Sequence, residues 1–266
     1  MRYQYLTLLA LLILIIAPHT YASPPSTLKF CYEDENAFPW VFTHHGKVEG
    51  LDLRLIKLLE TEIKTSIQLI SLPWKRCMLF LKTNQVDGAF AASFKQERLS
   101  MGAYPTIKEG QLNEMQRIHT SSYSLYISPS SELKWDGLAF TNLKGKISAQ
   151  LGFSIIDQLH SLGASVHEVK GPERALTDVL AKKSVGAALQ TDRADFILAR
   201  SATLQGQLIK HPIALVKKPY YLMLSFKLTN NNPELSQLIW NSVENIRDSE
   251  AMKTSSTEFW EFMSHN

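Results

Sequence analysis

Apolar positions along this chain switch between a period of two and a period of 3.6, and the switches mark out strands and helices. Leu28 to Tyr32 reads as a strand. Gly50-Leu51-Asp52 then opens a helix through Lys64, with Leu51, Leu55, Leu58, Leu59 and Ile63 recurring on one face. Ile67 to Leu72 is β-branched and apolar, a second strand. Pro73 suits a helix start, and Trp74, Cys77, Met78 and Leu81 supply that helix with its buried face. Val86 to Ala92 is a third strand, followed by a turn, Arg98, and a short strand ending at Tyr104-Pro105. Strands alternating with helices argue for parallel βαβ units.

The pattern then starts again. Lys146 to Leu151 is a strand, Ser154 to Leu162 a helix, and Ser165 to Val169 a strand. Pro172 to Lys183 is a helix and Val185 to Gln190 another strand. NQVDGAFAAS, from Asn84 to Ser93, is echoed by KSVGAALQTD, from Lys183 to Asp192. Both carry a polar helix end, a valine, small residues and polar groups at the strand tip. Two lobes of one architecture, facing across a cleft, account for this most simply. Tyr220 to Lys227 is one more strand, a helix runs from Pro233-Glu234 through Arg247, and Glu258 to Met263 is a short helical segment. These have no second sheet to complete, so they return to the first lobe. The expected fold is α/β: two doubly wound βαβ lobes, with residues 23–121 and 219–266 in one and 122–218 in the other. The chain crosses near Thr120 to Ser124 and near Lys217 to Tyr220. Two such crossings make a hinge that permits closure around a ligand.

The N-terminus reads differently. Met1-Arg2 is positive, Leu6 to Ala17 is nearly all apolar, and Thr20-Tyr21-Ala22 has small residues where a signal peptidase needs them. That is a secretory signal peptide over residues 1–22, cut before Ser23. Its apolar run is shorter than the ~20 residues of a membrane span. A periplasmic, monomeric mature protein is expected. In that oxidising compartment Cys31 and Cys77 invite a disulfide; two buried thiols packed as small hydrophobes are the alternative.

Composition narrows the function classes. The chain is 45% hydrophobic and 20% charged, ordinary for a globular protein, and its formal charge of +3 is spread without a basic run. A nucleic-acid partner is therefore not expected. No nucleotide-binding glycine loop occurs, and Ser131-Glu132-Leu133-Lys134 fits S-x-x-K without its companion motifs. His44-His45 lacks acids or cysteines spaced for a metal shell, so neither a metal nor another cofactor is expected.

Arg98 is the most informative residue. It follows the carboxyl end of a buried strand, where open α/β sheets bind ligands. Its planar fork of donors suits a carboxylate; a surface pair with Glu97 or Glu109 is the plainer alternative. Asp87-Gly88-Ala89, the small residues to Ser93, Glu97-Arg98 and Tyr104-Pro105 together resemble the first-lobe signature of periplasmic solute-binding protein family 3, the amino-acid-binding components of ABC importers. The whole mature chain resembles the type II fold of that family.

The resemblance implies a set of site residues. Arg98 would grip the ligand's α-carboxylate, with Ser93 beside it. Phe153 and Ser154, at a strand-to-helix link, would supply a second anion contact; plain helix capping is the alternative for Ser154. The ammonium anchor should be an acid at the tip of the second-lobe strand. Here the chain departs from the family, because Thr191 stands at that place and Asp192 one residue later. Asp192 is either a shifted anchor or the N-cap of the next helix. Tyr32, Glu33, Phe38 and Trp40, in the loop after the first strand, would form the side-chain pocket, and Glu33 would face a cationic side chain if the ligand has one. Trp74 is either a cleft wall or a core residue. A small carboxylate-bearing ligand, a polar amino acid, is the expected partner, handed to an inner-membrane ABC permease or a sensor kinase. The alternative is an enzyme on this scaffold resembling cyclohexadienyl dehydratases, with Glu33 or Asp192 as general acid.

Overall fold

A computed structural model describes residues 25–107 and 110–265. The chain opens with β1 (Thr27–Glu33), a hairpin of β2 (Phe42–His44) and β3 (Lys47–Glu49), α1 (Leu51–Glu62), β4 (Ser66–Leu72), α2 (Trp74–Lys82) and β5 (Gly88–Ser93). The middle holds β6 (His119–Ile127), a hairpin of β7 (Lys134–Trp135) and β8 (Phe140–Thr141), then β9 (Ile147–Gln150), α3 (Ile155–Ser161), β10 (Val166–Val169), α4 (Pro172–Leu180), β11 (Gly186–Gln190), α5 (Thr191–Arg200) and β12 (Ile209–Lys210). The chain ends with β13 (Val216–Leu224), α6 (Phe226–Asn231), α7 (Pro233–Arg247) and α8 (Glu250–His265).

The strands run β10-β9-β11-β6-β13-β5-β1-β4 across one continuous sheet, with β12 beside β6. Each flank is a parallel trio: β4, β1 and β5 on one side, β10, β9 and β11 on the other. The two echoing segments of sequence thus occupy β5 and β11, the inner strand of each trio. Between them lie β6 and β13, antiparallel to each other over Ser121 to Tyr123 and Val216 to Lys218. Each then continues into one trio: β6 pairs β11 through Tyr126, and β13 pairs β5 through Leu224. These are the two hinge crossings, and both are strands, so the lobes are joined by paired backbone and not by loose loops.

Separate cores back the two trios. Leu28, Phe30, Leu55, Leu59, Ile239 and Val243 pack β1 against α1 and α7. Tyr126, Leu176, Ala187, Leu189 and Leu204 pack β11 and β6 against α4. Cys31 and Cys77 are bonded, with Cα atoms 5.7 Å apart and a sequence separation of 46, which ties β1 to α2.

Four details depart from the sequence expectation. Where a short strand was expected before Tyr104-Pro105, the chain makes a 3₁₀ turn over Gln96–Ser100 and a single bridge from Ala103 to Leu224. β13 stops at Leu224 and not at Lys227, because the Ser225 hydroxyl accepts the Leu228 N–H at 3.1 Å and starts α6. The final helix spans Glu250–His265, far longer than Glu258 to Met263. β6 is nine residues long, and its polar His119-Thr120-Ser121-Ser122 start hides it from a hydrophobicity reading. The expected signal peptide lies outside the described residues. Among those that are described, no helix is long and apolar enough to cross a membrane.

Candidate functional site

The carboxyl ends of four strands, two from each parallel trio, converge on the line between the trios: Glu33 ends β1, Ser93 ends β5, Gln150 ends β9 and Gln190 ends β11. A cavity of about 40 Å³ sits there. That is room for a few water molecules, so the lobes are closed on one another. A β-bulge in β5 opposite Tyr221 and Met223 shapes the near wall, with Ala91 at φ 59°. Such bulges re-aim the side chains that follow them, here Ser93 and the turn carrying Arg98.

Arg98 is 3% exposed and lines the cavity. Its Nη1 donates to the Ser93 carbonyl at 2.5 Å and its Nη2 to the Gly152 carbonyl, on the far side, at 3.1 Å. The guanidinium lies over the Trp74 ring, 5.1 Å from its centroid, so Trp74 is cleft wall as well as core. Glu97 pairs with Lys95 at 2.9 Å, and Glu109 lies outside the described residues. No carboxylate pairs with Arg98 among the described residues, so a buried cation rests on neutral carbonyls. Burying a charge without its counter-charge is costly.

Other contacts join the lobes around it. The hydroxyls of Ser93 and Ser154 are 2.8 Å apart. Ser154 holds the N-cap position of α3 but its side chain makes no capping bond, and its carbonyl accepts from Lys218 Nζ at 2.9 Å. Burial holds the Lys218 amine below its ordinary value, and nearby Arg98 acts in the same direction. Glu33 meets Arg193 of α5 at 3.0 Å and also accepts from the Gln150 amide. Burial raises the Glu33 carboxyl, against the pull of Arg193.

A third group occupies the hinge. The His119 ring is sandwiched between Trp40, 3.8 Å away at 4°, and Tyr220, 4.9 Å away at 18°. Its Nδ1 lies 2.7 Å from Asp52 Oδ1. A carboxylate oxygen accepts and an imidazole N–H donates, which assigns Nδ1 as the donor. Gly50 makes this possible: at φ 141° it lets the start of α1 abut the Trp40 backbone, where Asp52 N donates to the Trp40 carbonyl at 3.0 Å. Behind the stack, Gln190 Nε2 donates to Tyr220 Oη at 2.8 Å, and that hydroxyl donates to Tyr123 Oη at 3.0 Å. Burial pushes both phenols up.

Of the residues expected from sequence, Tyr32, Glu33, Trp40, Trp74, Ser93, Arg98 and Phe153 line the cavity, and Ser154 adjoins it through Ser93. Two are placed elsewhere. Phe38 stacks on Phe196 of α5, with centroids 4.2 Å apart, in an aromatic cluster that includes Phe42 and Trp260. Asp192 is an exposed residue in the first turn of α5, outside the lining, and Gln190 holds the N-cap position. Thr191 Oγ1 is engaged with the Ser122 carbonyl at 3.1 Å and with Ser124 Oγ at 2.8 Å. Sequence reasoning missed His119, Gln190, Lys218, Tyr220 and Arg193. The two crossing strands and the start of α5 carry them, and only the strand-tip position of Gln190 gave a usable signal.

No family model and no curated protein matches the chain. Solved structures do. An ancestral arginine-binding protein bound to glutamine superposes with a TM-score of 0.70 at 14% identity, over 89% of this chain and 98% of that one. An amino acid ABC transporter substrate-binding protein from Streptococcus pneumoniae, bound to L-arginine, gives 0.67 at 15% identity, over 89% and 95%. An ancestral amino acid-binding protein, described as a precursor of cyclohexadienyl dehydratase, gives 0.64 at 14% identity, over 88% and 95%. At such identities the likeness is one of architecture, and the chain has the fold of the type II periplasmic binding proteins.

Proposed function

We propose that this protein is an exported solute-binding protein that closes on a small carboxylate-bearing ligand, a polar amino acid, for ABC-type uptake. One observation carries the reading: the buried Arg98 guanidinium lines an interlobe cavity with no acid paired to it among the described residues. A ligand carboxylate displacing the Gly152 carbonyl from Nη2 would neutralise that charge. A charge-assisted bond of this kind contributes about 1.5–3 kcal/mol, a useful share of the ~8 kcal/mol behind micromolar affinity. Structural neighbours bound to glutamine and to arginine support an amino acid as the ligand class. In this reading a signal peptide over residues 1–22 directs export, residues 23–121 and 219–266 form one lobe, and 122–218 form the other. The ligand shifts a population from open to closed lobes. Delivery is to an inner-membrane permease or a sensor kinase, by a monomer. The test is calorimetry of the mature protein against a panel of amino acids and small carboxylic acids. Arg98→Ala should weaken the tightest hit by at least about tenfold; an unchanged affinity overturns the reading.

A second reading is an enzyme on the same scaffold. Glu33 lines the cavity and burial favours its protonated form, as a general acid requires, and one structural neighbour is described as a dehydratase precursor. Release of phenylpyruvate from prephenate separates this reading from simple capture.

A further inference from the structure

The cavity holds a second polar group whose bonding is incomplete. His119 is 7% exposed, lines the cavity, and its Nε2 is buried without a hydrogen-bond partner. Its other nitrogen is committed to Asp52, which is 1% exposed and does not line the cavity. The Nδ1 edge therefore faces away from the ligand space and the Nε2 edge is presented toward it. Trp40 and Tyr220 clamp the ring on both faces, so the direction of Nε2 is fixed.

Charge accounting points the same way. Asp52 makes one hydrogen bond, to the His119 ring, and its Oδ2 has no partner. Glu33, the single acid among the lining residues, already has a cation in Arg193. The start of α5 gives the cavity no acid, because Thr191 is engaged with β6 and Asp192 is exposed and outside the lining. The cavity thus holds a cation without a paired acid, Arg98, and an acceptor nitrogen, His119 Nε2, on a ring held from behind by Asp52. That pattern complements a zwitterion.

We propose that His119, oriented by Asp52, accepts the ligand's ammonium group through Nε2, in the role that an acid at the start of α5 would otherwise fill. This rests on the solute-capture reading and deepens it: His119 selects α-amino acids over carboxylates that lack the amine. Asp52 is the positioning residue and touches no ligand.

The test pairs amino acids with acids lacking the α-amino group: phenylpropionate with phenylalanine, guanidinovalerate with arginine, glutaramate with glutamine, and so on through the common set. The wild-type protein should prefer the amino acid of its best pair by at least about tenfold. His119→Phe keeps the aromatic stack and removes the acceptor. It should cost the amino acid about tenfold or more while the deaminated partner changes by less than about threefold. Because both affinities are read within one variant, general loosening cancels from their ratio. His119→Gln, which restores an acceptor near the Nε2 position, should recover part of the preference. In wild-type protein carrying nitrogen-15 histidine, the Nε2 resonance of His119 should move with the amino acid and not with its deaminated partner, a readout independent of any variant's folding. Equal binding of both partners by the wild type, an equal loss for both in His119→Phe, or loss of the preference in Asp192→Asn but not in His119→Phe overturns the inference. If no carboxylate of either kind binds, it is the solute-capture reading itself that fails.

Discussion

Glu33, at the end of β1, and Arg193, in the first turns of α5, come from opposite lobes and meet at 3.0 Å. Both are largely buried, and Arg193 Nε and Nη2 lack further partners. Breaking such a pair from one side strands a buried charge, which costs about 3–5 kcal/mol. It bridges the lobes, and separating the two groups must rehydrate both. The one acid among the lining residues is thus already paired with Arg193.

The same pair sets a pH dependence. Burial raises the Glu33 carboxyl in the folded state above its ordinary 4.5. A raised carboxyl means that the folded state binds its proton more tightly than the unfolded chain does. Its stabilising share is complete below 4.5 and is lost as pH rises through the folded-state value. In denaturant titrations across that window, wild-type stability should fall relative to Glu33→Gln as pH rises, since other groups titrate alike in both. A difference that stays constant with pH, or runs the other way, contradicts the assignment.

Gly50 should not tolerate a side chain. A Cβ there would lie 2.0 Å from the Trp40 carbonyl oxygen, at a φ of 141°. Backbone has to move, and what moves is the joint that sets Asp52 against His119. Gly50→Ala should cost at least about 2 kcal/mol in urea denaturation. It should also weaken ligand binding through Trp40, which lines the cavity. A silent substitution would mean that the loop before α1 is free to shift.

The cystine should be a stability element and not a redox centre. It lies fully buried between β1 and α2, away from the cavity lining. Replacing both cysteines by alanine should lower stability by about 2–4 kcal/mol, since the bridge restricts the unfolded chain. Ligand affinity, measured below the variant's melting temperature, should change little.

Much of this architecture was legible because the trios on each flank are built from apolar strands and one-faced helices, which declare their period. β6 was not, because its first half is His119-Thr120-Ser121-Ser122, polar residues that cross between lobes and hydrogen-bond there. The loss was greatest at the site. Arg98 stood out by its place after a buried strand together with the family resemblance, and the same resemblance pointed to Glu33 and Ser93. His119 and Asp52 are 67 positions apart, and no local pattern links a strand's first residue to a helix's second. Asp192 stands one residue beyond the place where the resemblance sets the acid, and on a helix that step turns a side chain about 100° around the axis.

Arg98 should show that this site is built at the expense of stability. Its guanidinium is buried on two carbonyls and a tryptophan face, with no counter-charge among the described residues. Arg98→Met keeps the length and packing of the stem and removes the cation. The ligand-free variant should melt no lower than wild type, and up to several degrees higher, because an unneutralised buried charge is gone. Carboxylate ligands that raise the wild-type melting temperature should leave the variant unmoved. Arg98→Lys should retain the charge yet recover little affinity, since one ammonium cannot hold the Ser93 carbonyl and a carboxylate with the planar fork of a guanidinium. A large destabilisation of ligand-free Arg98→Met would instead mark the arginine as a strut between lobes, with its bond to Gly152 serving closure alone.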